Sequence, residues 1–82
     1  MFKNKTENGK CNLIGEQIRQ LRQAQSPRMS QRILAERMQL HGIDVDKNAI
    51  QRLESGTRFI TDIELRTLCL IFKISADTLL NI

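Results

Sequence analysis

SQRILAERMQLHGIDVDKNAIQRLESG, residues 30–56, holds two short amphipathic segments around a single interior glycine, and its reading decides the fold. Ser30 is a good N-cap, and Leu34, Ala35 and Met38 recur at the spacing of one helical face, which predicts a helix over 30–41. Gly42 tolerates left-handed backbone angles and stops that helix. Ile43-Asp44-Val45 reads as a turn with two apolar anchors. Asp46 then caps a third helix running through Glu54, in which Ile50 and Leu53, with Ala49 beside them, need to face inward. Ser55-Gly56 closes it. Its remaining face, Lys47, Asn48, Gln51 and Arg52, is strongly polar.

Working outward, Ile14, Ile18 and Leu21 repeat at i, i+4 and i+7, with Arg19 and Arg22 read as lying off the stripe. They predict a first helix over 13–25, capped by Asn12 and ended at Ser26-Pro27, because proline disfavours helical geometry in the residue before it. Downstream, Thr61-Asp62-Ile63-Glu64 has the form of a capping box, and Leu65, Leu68, Cys69 and Phe72 continue as an apolar stripe. Ser75 opens a final turn or short helix over 76–81 that docks Leu79 and Leu80. Nothing alternates with period two over strand length. The expected fold is all-α, a compact bundle of about five short helices, with residues 1–11 as a loose polar arm, in which Lys3, Lys5 and Lys10 are alternative phosphate contacts, and 12–82 as one domain.

Eighty-two residues supply one small core and little material for a deep catalytic cleft. Hydrophobic residues make up 40%, an ordinary globular fraction, and there is neither a signal-peptide apolar region nor a membrane-length apolar run. Cys11 and Cys69 stand too far apart in sequence for a metal-ligand spacing, and a reduced Cys69 suits an apolar helical run. A cytoplasmic, reducing setting is the simplest expectation. The formal net charge is +4, but residues 1–40 hold eight Lys/Arg against three Glu, while the rest is nearly balanced. Such a half suits a polyanionic partner, and equally a solvated surface.

Two short helices joined by a glycine-containing turn form a unit with a known use. One helix lies across the duplex backbone and braces the second, whose outer face enters the major groove. Ala35 is small enough for a close crossing. Lys and Arg suit guanine O6 and N7, while Asn and Gln suit adenine N6 and N7, so Lys47, Asn48, Gln51 and Arg52 form a plausible base-reading set. The same face also fits an ordinary solvated helix. His41, near a helix end, is expected to cap or to be solvated. No Cys–His pair, glycine-rich phosphate loop or metal cluster supports an enzyme, and Asp62 with Glu64 belongs to a helix start. No catalytic residue, metal or cofactor is assigned.

Further pieces bring a resemblance. IGEQIRQLR (14–22), MSQRILAERM (29–38), NAIQRLESGTR (48–58), DIELRTLCLIFKIS (62–75) and ADTLL (76–80) occur in the order and register of the Cro and phage-repressor (XRE) family of helix-turn-helix domains. The chain resembles this lambda-repressor-like family from Ile14 to Leu80. The resemblance implies sequence-specific binding of double-stranded DNA by a transcriptional regulator, by default a repressor, working as a homodimer on a pseudo-palindromic operator. It implies that Lys47, Asn48 and Arg52 face base edges and that Gln31 contacts phosphate while buttressing the recognition helix. Ser55, Thr57 and Arg58 are expected on the phosphate strand, with Arg28 and Arg32 as further phosphate candidates on charge and position. Glu54 matches the family's structural Glu and is expected to pair with an arginine such as Arg37. Ala35 and Glu54 stand nineteen residues apart, farther than in the compact family pattern, so the chain resembles a longer-turn subset. Ile43, Val45, Leu79, Leu80 and Ile82 are the candidate dimer patch. The alternative is a protein-interaction module that keeps the helix-turn-helix fold without reading DNA.

Overall fold

The helical spacings of the sequence are realised as α1 (Gly15–Gln23), α2 (Gln31–Leu40), α3 (Lys47–Ser55), α4 (Asp62–Phe72) and α5 (Ala76–Leu80). These come from a computed structural model that describes residues 4–82. Among the described residues there are five helices and no strand, so the chain is an all-α bundle. Its radius of gyration is 12.3 Å, against about 12 Å for a compact chain of this length.

Local chemistry sets each boundary. Ser30 accepts from the Ile33 amide at 3.1 Å, Asp46 from Ala49 at 2.8 Å, and Ser75 from Thr78 at 3.2 Å. Thr61 and Glu64 form the full capping box: Thr61 Oγ1 accepts from the Glu64 amide, and Glu64 Oε1 accepts from the Thr61 amide. Gly42 and Gly56, both left-handed at φ +83° and +82°, end α2 and α3. Each sits in a Schellman pair, with Ile43 N–H donating to Met38 and Thr57 N–H donating to Arg52. The left-handed residue after α4 is Lys73, at φ +54°.

α1 departs from expectation at both ends. It begins at Gly15 rather than Leu13, because Asn12 Oδ1 accepts from the amides of Ile14 and Gly15 while staying outside the helix. It stops at Gln23, short of Ser26-Pro27. There the chain turns back, and the Arg22 carbonyl receives both Gln25 and Met29 amides.

Ile18, Leu34, Met38, Ile50, Leu53, Leu68 and Leu79 are fully buried, drawn from all five helices. Burying such a side chain contributes about 1.5–3 kcal/mol. α3 packs on both α1 and α2, while α4 bridges α2 and α5. Gly15 is where α1 meets the end of α3: a Cβ there would run into the Leu53 and Glu54 carbonyl oxygens.

Two members of the expected dimer patch are core residues. Val45 is 4% exposed and Leu79 1% exposed. Ile43 and Leu80 are half-buried against the core, and only Ile82 projects fully. Hydrophobicity near a segment end does not separate a residue that plugs the core from one that leaves it. The large apolar side chains that do project include Leu13, Leu40, Phe59, Ile63 and Leu70.

Candidate nucleic-acid interface

α3 is a two-sided helix. Ala49, Ile50, Leu53 and Glu54 are buried, whereas Lys47, Asn48, Gln51, Arg52 and Ser55 are all exposed. Among the described residues neither Lys47 nor Arg52 takes part in an ion pair. Their charges are therefore directed to solvent. The helix is thin on its anchored side, and its outer side offers two cations and two amides, which present donors and acceptors in the forms that base edges match.

The connection from α2 is wide but built. After the Schellman turn at Gly42, Gln39 Nε2 donates to the Val45 carbonyl at 2.7 Å, and Val45 drops into the core. Between α2 and α3 the chain thus runs through an ordered six-residue link, 41–46. α2 itself ends at Leu40, one residue before the expected His41. His41 is the exposed C-cap residue.

Beneath α3 lies a buried ionic brace. Arg22 Nε donates to Glu54 Oε2 at 2.8 Å and Nη2 to Oε1 at 3.0 Å, while Nη1 donates to the Met29 carbonyl at 2.9 Å. Gln31 Nε2 completes the cluster on Glu54 Oε1 at 3.0 Å. The carboxylate expected to meet Arg37 meets Arg22 instead, and Arg37 stays exposed on α2. Reading Arg22 as off the apolar stripe overlooked its register: Ile14, Ile18 and Arg22 succeed each other at i, i+4, so the guanidinium sits at the end of the buried row. With Gln31, the pair joins α1, the start of α2 and the end of α3, and both oxygens of the carboxylate are hydrogen-bonded. Gln31 thereby touches the base of α3 and is half-buried.

Of the other residues expected at phosphates, Arg28 and Arg32 are exposed, the latter 3.8 Å from Glu36 in a loose surface pair. Ser55 and Thr57 are exposed beside one another, with their hydroxyls 3.1 Å apart and both within reach of the Arg52 carbonyl. Arg58 is differently placed. Its guanidinium makes a bidentate pair with Glu64, at 2.9 and 2.8 Å, and also donates to the Phe59 carbonyl. The Glu64 bond raises the Arg58 pKa above its ordinary value, while the Arg58 bond, followed by the Thr61 amide, holds the Glu64 carboxyl below the usual carboxylate range. Arg58 lies in the loop between α3 and α4, its guanidinium tied to Glu64 and its side chain 25% exposed.

The segment before α1 is expected as a loose arm whose Lys3, Lys5 and Lys10 are alternative phosphate contacts. Residues 6–10 close a turn, with Thr6 N–H donating to the Lys10 carbonyl and Lys10 N–H to Thr6 Oγ1. Cys11 N–H then donates to the Gly56 carbonyl at 2.7 Å, and Lys10 Nζ donates to the Ser55 carbonyl at 3.1 Å. Asn12 Nδ2 adds bonds to the Leu53 and Arg58 carbonyls. This stretch is sewn to the end of α3. Lys3, the first of those three lysines, lies outside the described residues.

No protein-family model, curated protein or solved structure matches this chain. Among the described residues no helix is long and apolar enough to cross a membrane.

Proposed function

We propose that this protein binds double-stranded DNA sequence-specifically, as a transcriptional regulator of the Cro and phage-repressor helix-turn-helix type, and that α2 and α3 form its reading unit. The observation that carries this reading is the division of α3: an apolar, ion-paired inner side, and an outer side where Lys47, Asn48, Gln51 and Arg52 are solvent-exposed together. A helix braced in this way is suited to insertion into a groove wide enough to admit it. Arg28, Arg32, Ser55 and Thr57 are the candidates for backbone contacts around it, and Gln31 adds a buttress. One module of this size reads few base pairs, so two copies on a pseudo-palindromic operator supply the needed selectivity. Repression by occluding a promoter is the simplest outcome, with the protein acting in the cytoplasm.

Selection of bound sites from random duplex DNA at two salt concentrations tests the proposal. An inverted repeat is expected, with affinity falling steeply as salt rises through counterion release. Arg52→Ala should weaken binding by about 1–3 kcal/mol and relax preference at one base pair. If nothing is enriched, or if Lys47→Ala and Arg52→Ala fold and bind the selected site as the wild type does, α3 is not the reader.

A further inference from the structure

We propose that the N-terminal turn is part of the DNA-binding face, and that Lys10 with Arg19 forms a seat for one phosphate of the duplex backbone. This rests on the reading of α3 as the recognition helix. Lys10, Arg19, Gln31, Gln51 and Ser55 line a single open groove between α1 and the outer side of α3. Two cations and two amides from four segments of the chain converge there, with donors suited to phosphate oxygens, beside the Ser55 hydroxyl that donates to the Arg52 carbonyl.

The carboxylates in the groove do not spoil it. Glu54 is already neutralised by Arg22 and hydrogen-bonded by Gln31. Glu16 holds Arg19 at 2.7 Å, but both side chains are about half exposed, at 55% and 49%, where such a pair is weak. A backbone phosphodiester carries the same single charge as Glu16, but it brings the field of its neighbouring phosphates and competes for that guanidinium.

Lys10 is held for the purpose. Its backbone is fixed by the turn on Thr6 and by the neighbouring Cys11–Gly56 bond, and its stem lies across Gly56. The ammonium spends one donor on the Ser55 carbonyl and keeps two. That same contact places a cation beside the Ser55 carbonyl at the C-terminus of α3, where positive charge is favoured.

The experiment measures how affinity for the selected duplex depends on salt in the full chain. Lys10→Met keeps the stem over Gly56 and should flatten the slope of log K against log[salt] by about one, with base preference unchanged. Arg19→Met should do the same. Glu16→Gln, which frees Arg19, should raise affinity. If Lys10→Met and Arg19→Met are folded and keep the wild-type slope while Arg52→Ala loses affinity, the groove holds no phosphate although α3 still reads DNA. If the wild type retains no duplex, or Arg52→Ala is silent as well, the reading of α3 fails and the groove proposal falls with it. Should Lys10→Met fold poorly, the slope of Arg19→Met and the affinity of Glu16→Gln decide the matter.

Discussion

Gly15 shows how one residue can reverse a propensity. In an exposed helix, Gly→Ala gains about 1 kcal/mol. Here the added methyl would meet the Leu53 and Glu54 carbonyl oxygens, which belong to backbone and cannot swing away. Gly15→Ala is therefore expected to destabilise by about 1–3 kcal/mol, as overpacking does, and a urea melt with an unchanged or raised midpoint would contradict the close approach. Arg22 and Glu54 make the opposite point, because their charges are buried but fully bonded, with side chains 9% and 3% exposed. Removing one partner leaves the other charged and dry. Glu54→Ala or Arg22→Met should each cost about 3–5 kcal/mol, and the double variant should lose less than the sum of the two. Additive losses in a double-mutant cycle would mean the pair is not coupled.

Among elements, the ends of α4 carry the clearest consequences. Its start is held by Glu64, which joins the Thr61 cap to Arg58, and the folded state keeps that carboxyl's pKa below its unfolded value. The stability it contributes is then complete above the unfolded value, about 4.3, and is lost as pH falls through the depressed folded value. Wild type and Glu64→Gln should differ in melting temperature at pH 7 and converge as the pH drops below about 4. A gap that persists undiminished at pH 2 would assign the effect to packing instead. The other end is closed by Lys73 in left-handed geometry, with Ile74 N–H donating back to Cys69. A side chain is strained there and glycine is not, so Lys73→Gly should stabilise by about 1 kcal/mol despite its greater unfolded-state entropy. Chemical denaturation reads the sign directly. These element ends were largely legible in the sequence: Ser30, Asp46, Thr61 with Glu64, and Gly56 are local signals, set by bonds within a few residues.

For the molecule as a whole, the five helices bury one core and leave the outer side of α3 free, while the chain before α1 is tied to the end of α3. The interface proposed above is therefore assembled from several segments, which is why a single helix read in isolation could not define it. The amphipathic repeat settled the helices and the polar side of α3, because periodicity of 3.6 residues places side chains on faces without reference to any partner. Which arginine meets Glu54, whether Val45 and Leu79 leave or enter the core, that Arg58 turns to Glu64, and that Lys10 crosses Gly56 were decided only in three dimensions. Each of these depends on a contact between residues distant in sequence, or on the direction a loop takes after its helix stops. Spacing along one element fixes the face a residue occupies; only the packing of several elements fixes what that face meets.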